Sequence, residues 1–426
     1  MKVLIVGSGG REHALAWKIR QSPRVTRLYC APGNAGTALE AENVEIADTD
    51  IAGLVKFAQT EKIDLVVVGP EDTLCLGLVD ALAEVGIRAF GPDKAGARLE
   101  GDKAFAKELM QSRSIPTADT RLFSSYRDAK TYVASRDSSV VVKATGLAKG
   151  KGAIVCEDPA DALLALERIM VKREFGRAGD RVLVEEKLVG PEVSVLAFVD
   201  GANIYMMENS QDHKPIGEGD TGLNTGGMGA YSPTLIPDEK VLRQIESEVL
   251  VPIVDALRSQ GITYKGILYA GLMMTAGGPK VLEFNCRFGD PETQPILMRL
   301  KSDIVDVMEA VIDNRLDEIT LVWDPRPAMC VVVASGGYPG DYSSGKPITG
   351  LEEADQVPET VVFHAGTRRV GNQVATAGGR VLGVTAIADT LVQARERCHE
   401  AIGHIHFENA YWRKDIGFKA IDVATT

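Results

Sequence analysis

Leu282-Glu283-Phe284-Asn285-Cys286-Arg287-Phe288-Gly289-Asp290-Pro291-Glu292-Thr293-Gln294 is the stretch from which the rest of the chain can be read. Before it come an apolar run, Gly266 to Thr275, a Gly277-Gly278-Pro279 turn and Lys280-Val281. An apolar run, a glycine turn and a second run predict a β-hairpin whose second strand carries Glu283 and Asn285. Side chains two apart on a strand share a face, so Glu283, Asn285 and Arg287 are expected to point the same way. A carboxylate beside an amide oxygen suits a hard divalent cation. An arginine next to them suits a phosphate or a carboxylate. A solvated strand face with a chance ion pair is the plainer alternative. It does not explain three polar residues interrupting an apolar strand just before a Gly-Asp-Pro-Glu turn. Cys286, in the same strand, reads as a small buried hydrophobe.

The segment Arg287-Phe288-Gly289-Asp290-Pro291-Glu292-Thr293 resembles the signature of the phosphoribosylamine–glycine ligases, which are ATP-grasp enzymes. The likeness runs from Gly7-Ser8-Gly9-Gly10-Arg11-Glu12-His13 to Asp415-Ile416-Gly417. It implies a multidomain α/β and α+β protein. An N-terminal open parallel α/β sheet (1–101) is followed by an ATP-grasp domain (102–324) with a small lid at about 121–190, then a C-terminal α+β domain (325–426).

Composition agrees with several domains, because 426 residues exceed what one core holds. A net charge of −12 argues against nucleic acid or an anionic membrane as partner. No leader is expected ahead of the opening strand, and no apolar stretch reaches the roughly 18 residues that span a bilayer, so a cytoplasmic chain is expected. The six cysteines lie far apart without a Cys-x-x-Cys pair, which suggests neither zinc nor disulfides.

Taken in order, Lys2 to Val6, Gly7-Ser8-Gly9-Gly10 and a helix from Arg11 to Gln21 open a βαβ unit. Such a loop and helix N-terminus form an anion site. The loop is a poor dinucleotide fingerprint: the third glycine would fall at Glu12, and the second strand ends at Tyr29-Cys30-Ala31 without an acidic residue. Gly69-Pro70-Glu71-Asp72 closes another buried strand. By the resemblance, Gly9, Gly10 and Glu71 help hold the phosphoribosylamine.

Asp102 to Gln111 is expected to be helical, with Lys103 near its start. The strand Ser139 to Ala144 carries Lys143, and Thr145-Gly146-Leu147-Ala148-Lys149-Gly150-Lys151-Gly152 turns back to a strand ending at Cys156. A glycine-rich turn lets backbone approach phosphate oxygens, yet this one is not a Walker A loop. The resemblance makes it the phosphate lid, with Lys103 and Lys143 on ATP, although Thr145 stands where the family usually has aspartate. It also places ATP along Glu185, Lys187 and Leu188, with Glu192 on the ribose.

Gln211-Asp212-His213-Lys214 and the glycine-rich Asp220 to Gly229 read as one long polar loop, a length that is usually functional. It resembles the family's substrate loop, which assigns Asp212, His213, Lys214, Asn224, Thr225 and Gly226 to substrate, together with Arg287, Asp290, Pro291 and Glu292. His213 is expected to help bind an anion or substrate. Asp238 to Ser259 and Ser302 to Asn314 read as amphipathic helices, and from Pro325 a separate α+β unit begins.

The activity implied is ligation of glycine to 5-phosphoribosylamine with ATP, giving glycinamide ribonucleotide, ADP and phosphate, the second step of de novo purine synthesis. A glycyl phosphate would be the intermediate. Lys143, Arg287 and Asp290 would serve the chemistry, and Mg²⁺ or Mn²⁺ would sit on Glu283 and Asn285. The strand Leu268-Tyr269-Ala270-Gly271-Leu272 lacks a further metal carboxylate, so metal binding would lean on ATP itself. A monomer is expected, or else a dimer. Two other classes compete: a different ATP-grasp carboxylate–amine ligase or carboxylase, and a non-enzymatic nucleotide sensor. The Gln-Asp-His-Lys and Gly-Asp-Pro-Glu-Thr pair argues against the first, and a complete metal pair argues against the second.

Overall fold

Lys2–Gly7 carries the apolar, buried run Val3 to Val6, and it forms the centre of a five-stranded parallel sheet. Arg27–Pro32 and then Glu42–Asn43 lie on one side of it, Leu65–Val68 and then Arg88–Phe90 on the other. Runs of Val, Ile and Leu buried on both faces are what a helix-covered parallel sheet demands. The strand order reverses between Lys2–Gly7 and Leu65–Val68, where a crevice opens at the strands' carboxyl ends. The loops after Gly7 and Val68 both emerge there.

The chain is represented by a computed structural model, which describes residues 1–148, 151–234 and 236–424, with side chains through 421. Lys149 and Gly150, expected in the phosphate lid, lie outside the described residues. The lid is a four-stranded antiparallel sheet ordered Thr120–Phe123, Val182–Glu186, Val140–Ala144, Ala153–Cys156. It has its own apolar core, in which Ala129 and Val133 of one helix and Ala162 and Leu166 of another cover Val142 and Val184.

The grasp sheet is also antiparallel: Ile204–Met206, Glu192–Asp200, Lys265–Thr275, Gly278–Asn285. The expected hairpin is its last pair. One core joins this sheet to the N-terminal sheet, with Leu4, Val66, Leu109, Leu268 and Phe284 among its members.

The last large sheet departs from the sequence reading. Ala328–Ser335, Arg380–Ile387 and Thr360–His364 are strands of the α+β unit expected from Pro325, and the helix Leu391–His404 packs on them. Gly229–Ser232 pairs with Ala328–Ser335, however, and Gln211–Asp212 pairs with Gly229–Ser232. The long polar loop is therefore largely strand, with Pro215–Gly217 and Thr221–Asn224 as a second hairpin inside it. Its Gly and Asn content hid short strands, one of which, Gly229–Ser232, finds its partner in Ala328–Ser335 of the C-terminal unit. Among the described residues, no helix is long and apolar enough to cross a membrane.

Candidate active site

The hairpin register is not uniform: Gly271 faces Glu283, but Leu272 faces Val281, so Leu282 is the extra residue of a β-bulge. Two consequences follow. With Gly271 opposite, no cross-strand side chain covers Glu283. The Leu282 carbonyl, freed from the regular ladder, accepts a hydrogen bond from Lys143 Nζ at 3.0 Å. Burial would raise the Glu283 carboxyl, but the ammonium of Lys214, with Lys103 and Lys143, holds it down at about 2. It is thus an anion at neutral pH. Asn285 is buried, and its Oδ1 accepts from Arg287 Nη2 at 3.3 Å.

Lys143 also pairs with Glu185 Oε2 at 2.8 Å, and Lys107 approaches Glu185 Oε1 at 3.0 Å. This second contact is ionic, since Oε1 accepts no well-aligned hydrogen bond. All three side chains are at least nine-tenths buried. Burial lowers the Lys107 ammonium to about 8 even with Glu185 alongside. Lys103 Nζ reaches the Gly146 carbonyl of the lid turn at 3.3 Å. Lys103, Lys107, Lys143, Glu185, Leu282 and Glu283 line one small cavity between lid and grasp sheet. Lys107 is absent from the sequence reading. Its spacing of four from Lys103 put both on one helix face, the signal that could have found it.

The first glycine loop wraps a side chain of its own helix. Added Cβ atoms at Gly7, Gly9 and Gly69 would meet the Glu12 side chain at 2.6, 2.8 and 2.0 Å. The glycines therefore make room for a buried carboxylate of the chain itself. The Gly9 N–H donates to Glu12 Oε2 at 2.6 Å, and the Arg11 N–H donates to Asp290 Oδ2 at 3.3 Å. Two of the N–H groups at this helix start, those of Gly9 and Arg11, are thus engaged by carboxylates of the chain. Gly9 and Gly10 nonetheless border the Asp290–Gln294 turn.

Arg287 follows the end of its strand and is largely spoken for. Nε donates to Glu71 Oε2 at 3.0 Å and Nη2 to Glu100 Oε1 at 2.8 Å, with Nη1 on the Phe288 carbonyl at 3.3 Å. Nη2 also donates to Asn285 Oδ1, so the guanidinium is shared between two carboxylates and the amide that follows Phe284. Burial would raise Glu71, but the Arg287 and Arg11 guanidiniums hold it at about 2. Glu100 also accepts from the Cys286 N–H at 2.8 Å, and Cys286 is buried as expected.

A second polar cluster gathers around Asp290 and Glu292. Arg380 Nη1 donates to the carbonyls of Gly226 at 2.6 Å and Asp290 at 2.7 Å, and Nη2 stands 3.6 Å from Asp290 Oδ2. Gly226 N–H donates to Tyr338 Oη at 3.0 Å, and the buried Thr225 hydroxyl donates to the Lys214 carbonyl at 2.7 Å. Glu292 is buried, and its Oε1 accepts from Ser194 Oγ at 3.1 Å and Tyr269 Oη at 2.8 Å. Lys214 Nζ lies between Glu192 Oε2 at 3.2 Å and Glu283 Oε1 at 3.7 Å, linking this cluster to the first. Pro291, which follows a cis peptide, packs against Gly227.

Three expected residues stand apart. His213 is buried beside Tyr231 and Phe418; its Nδ1 lies 3.3 Å from the Gly229 carbonyl and its Nε2 accepts the Gly417 N–H at 3.2 Å. Burial lowers its imidazole to about 4, so it is neutral and internally bonded, not an anion ligand. Lys187 Nζ turns to Glu157 at 2.5 and 2.8 Å. Asn224 is exposed on its hairpin. Arg380, Tyr338 and Ser194 were not singled out in the sequence, because they come from segments far apart in the chain with no shared motif, and Gln294 closes the opening stretch without a role being read for it.

Glu283 and Asn285 supply two hard oxygen donors, one of them ionised, which fits a divalent cation completed by water and phosphate oxygens. Among the described residues there is no group of three His, Cys, Asp or Glu that could hold a metal.

Comparison with known proteins gives one answer along the chain. Profiles of the phosphoribosylglycinamide synthetase N domain, ATP-grasp (A) domain and C domain match residues 1–100, 101–293 and 328–419. Phosphoribosylamine–glycine ligases of Rhodopirellula baltica and Allochromatium vinosum are 54% and 53% identical, each over 99% of this chain and 98% and 99% of their own. The crystal structure of the Thermotoga maritima phosphoribosylamine–glycine ligase superposes with a TM-score of 0.83 at 30% identity, covering 97% of this chain and all of that one. The biotin carboxylase domain of Hydrogenobacter thermophilus 2-oxoglutarate carboxylase shares the fold, with a TM-score of 0.75 at 15% identity over 96% of this chain and 91% of that one. The profiles, the full-length identities and the fold agree: this chain belongs to the phosphoribosylamine–glycine ligase family, whose catalytic core is an ATP-grasp domain.

Proposed function

We propose that this chain joins glycine to 5-phosphoribosylamine through a glycyl phosphate, using ATP with Mg²⁺ or Mn²⁺ and releasing ADP and phosphate. As a member of its family it is an ATP-dependent carbon–nitrogen ligase of purine biosynthesis. The observation that carries the reading is the convergence of Lys103, Lys107, Lys143 and the ionised Glu283 on one small cavity beneath the lid. A carboxylate is a poor acyl donor, because oxide would have to leave. Transfer of the γ-phosphoryl group to a glycine carboxylate oxygen releases ADP and creates a leaving group. The amine nitrogen then attacks the carbonyl carbon, phosphate leaves, and one amine proton is lost to solvent. No protein nucleophile is needed.

Both phosphoryl donor and carboxylate are anions, so Lys103, Lys143 and Lys107 offset their repulsion in a water-poor site. A divalent cation on Glu283 and Asn285 would add charge screening at the phosphates. The backbone of Glu185 to Leu188 and the Glu192 carboxylate hold the nucleoside, and Asp290, Arg380, Thr225 and Gly226 face the amine substrate. A lid that excludes water protects an acyl phosphate from hydrolysis. The enzyme is read as a cytoplasmic monomer, with a dimer as the alternative that sedimentation would separate. Glycine labelled with ¹⁸O in its carboxylate tests the route. One labelled oxygen should appear in inorganic phosphate and the nucleotide should leave as ADP; label kept wholly in product, or AMP formation, rejects it.

A further inference from the structure

Lys103 opens the helix Lys103–Ser112, and Asp102 caps it: Oδ1 accepts from the N–H groups of Ala104 at 3.1 Å and Phe105 at 3.3 Å. The same carboxylate also reaches the lid. Arg181 Nη2 donates to Asp102 Oδ1 and Oδ2, each at 3.3 Å. Arg181 stands just before the lid strand Val182–Glu186, which pairs with the Lys143 strand Val140–Ala144. Thr145, the first residue after that strand, is held between the same two segments. Its N–H donates to the Arg181 carbonyl at 3.3 Å, and its carbonyl accepts the Lys103 N–H at 2.8 Å. Asp102, Lys103, Thr145 and Arg181 thus close a ring of contacts, two of them backbone hydrogen bonds and one an ion pair. On the lid side the turn that follows is seated closely: the Gly146 N–H donates to the Ala178 carbonyl at 3.1 Å, and a Cβ on Gly146 would meet Ala178 Cα at 2.8 Å. On the helix side it meets open space, where Leu147 lines a cleft of about 470 Å³ with Cys75, Lys94, Arg98 and Asp102.

We infer that Asp102 and Arg181 are a positioning pair for the phosphate lid. Their ion pair fixes the angle between the helix that carries Lys103 and Lys107 and the lid strands that carry Lys143 and Glu185. Neither residue lines the phosphoryl cavity, so both act through Lys103 and the root of the turn. The side chains of Arg181 and Asp102 are 42% and 28% exposed, and an ion pair open to solvent adds little to stability. Its leverage is geometric. Phosphate oxygens must meet lysines from both elements at once, so a freer lid angle weakens nucleotide binding even where the fold survives. Thr145 brings no charge with which to replace the pair. The inference rests on the reading of the turn after Lys143 as the phosphate lid for ATP.

The test uses the full chain and reads the Kd for ATP with Mg²⁺ by calorimetry, alongside the steady-state KM of each substrate. Asp102→Asn keeps an oxygen for the helix cap and loses the charge, and Arg181→Ala removes its partner. Each should raise the Kd and KM for ATP about fivefold, the scale of one partly exposed ion pair. The KM values for glycine and 5-phosphoribosylamine should stay within about twofold, and the melting temperatures near that of wild type. The double variant should bind ATP no worse than either single one, because both remove the same link. The contact uses one nitrogen of Arg181, so Arg181→Lys, which keeps a point charge there, should stay within about twofold of wild type. Unchanged ATP binding in both single variants overturns the assignment. So do effects that multiply in the double variant, or an Arg181→Lys as weak as Arg181→Ala. If Asp102→Asn does not fold, the comparison of Arg181→Lys with Arg181→Ala decides. Wild-type protein that binds no ATP would instead defeat the reading of the lid itself, a distinct result.

Discussion

Replacing Glu185 by glutamine leaves two buried ammonium groups with only a neutral amide between them. The distances to Lys143 and Lys107 are 2.8 and 3.0 Å. At an effective dielectric constant of about 20, each contact carries roughly 6 kcal/mol of gross attraction. Burying three ions costs several kcal/mol apiece, so most of that gross figure is offset. What truncation exposes is the penalty of the unpaired partners, about 3–5 kcal/mol for a buried pair. Lys107, already lowered to about 8, should lose its proton at neutral pH and soften the loss. The lid sheet should register it locally, because Glu185 and Lys143 stand on its adjacent strands Val182–Glu186 and Val140–Ala144. Hydrogen exchange of the amides in these two strands reads the opening free energy directly. We expect it to fall by about 3 kcal/mol or more without nucleotide, and by clearly less with saturating ATP, whose phosphates would supply the missing negative charge. An equal loss with and without ATP would refute the reasoning, since these lysines would then be structural ions and not phosphate ligands.

Glu283→Gln should keep the fold but abolish turnover, because a neutral amide binds a divalent ion poorly; near-normal activity with an unchanged metal requirement would remove the metal assignment. Gly227→Ala places a methyl group 2.4 Å from Pro291 Cδ at a φ of +113°, and should cost at least about 1–3 kcal/mol of stability together with most activity, read by thermal unfolding and steady-state rates. Glu71 is depressed from 4.5 to about 2, so its ion pairs stabilise the fold fully above pH 4.5 and lose that contribution as pH falls toward 2. The amount at stake is about 3 kcal/mol, and acid denaturation of Glu71→Gln should show a flatter loss of stability across that window than wild type.

Local pattern alone disclosed the elements that carry the phosphoryl cavity. An apolar run, a glycine turn and a second run mark the hairpin Lys265–Thr275 and Gly278–Asn285 with Glu283 and Asn285 on it, and the run before Thr145 marks the Lys143 strand. These signals are legible because strand periodicity and glycine turns act over a few residues. The bulge at Leu282 was not, since it depends on which residue of the partner strand lies opposite. Nor was the fate of Arg287. Its residue type suits an anion, but Glu71 and Glu100, 216 and 187 residues away, arrive first.

His213 and Asp212 show the same limit from the other side. Their segment reads as polar loop, yet pairing with Gly229–Ser232, and through it with Ala328–Ser335, buries His213 and closes Asp212 Oδ1 from water. Strand pairing at long range leaves no periodic trace in a segment two residues long, and a charge on a helix or loop looks solvated until its counter-ion is in place. The sequence by itself therefore determined the locally patterned strands and helices and the candidate ligands they carry. Only the tertiary structure decided which of those charges face each other, and so which are spent on the fold and which remain for substrate.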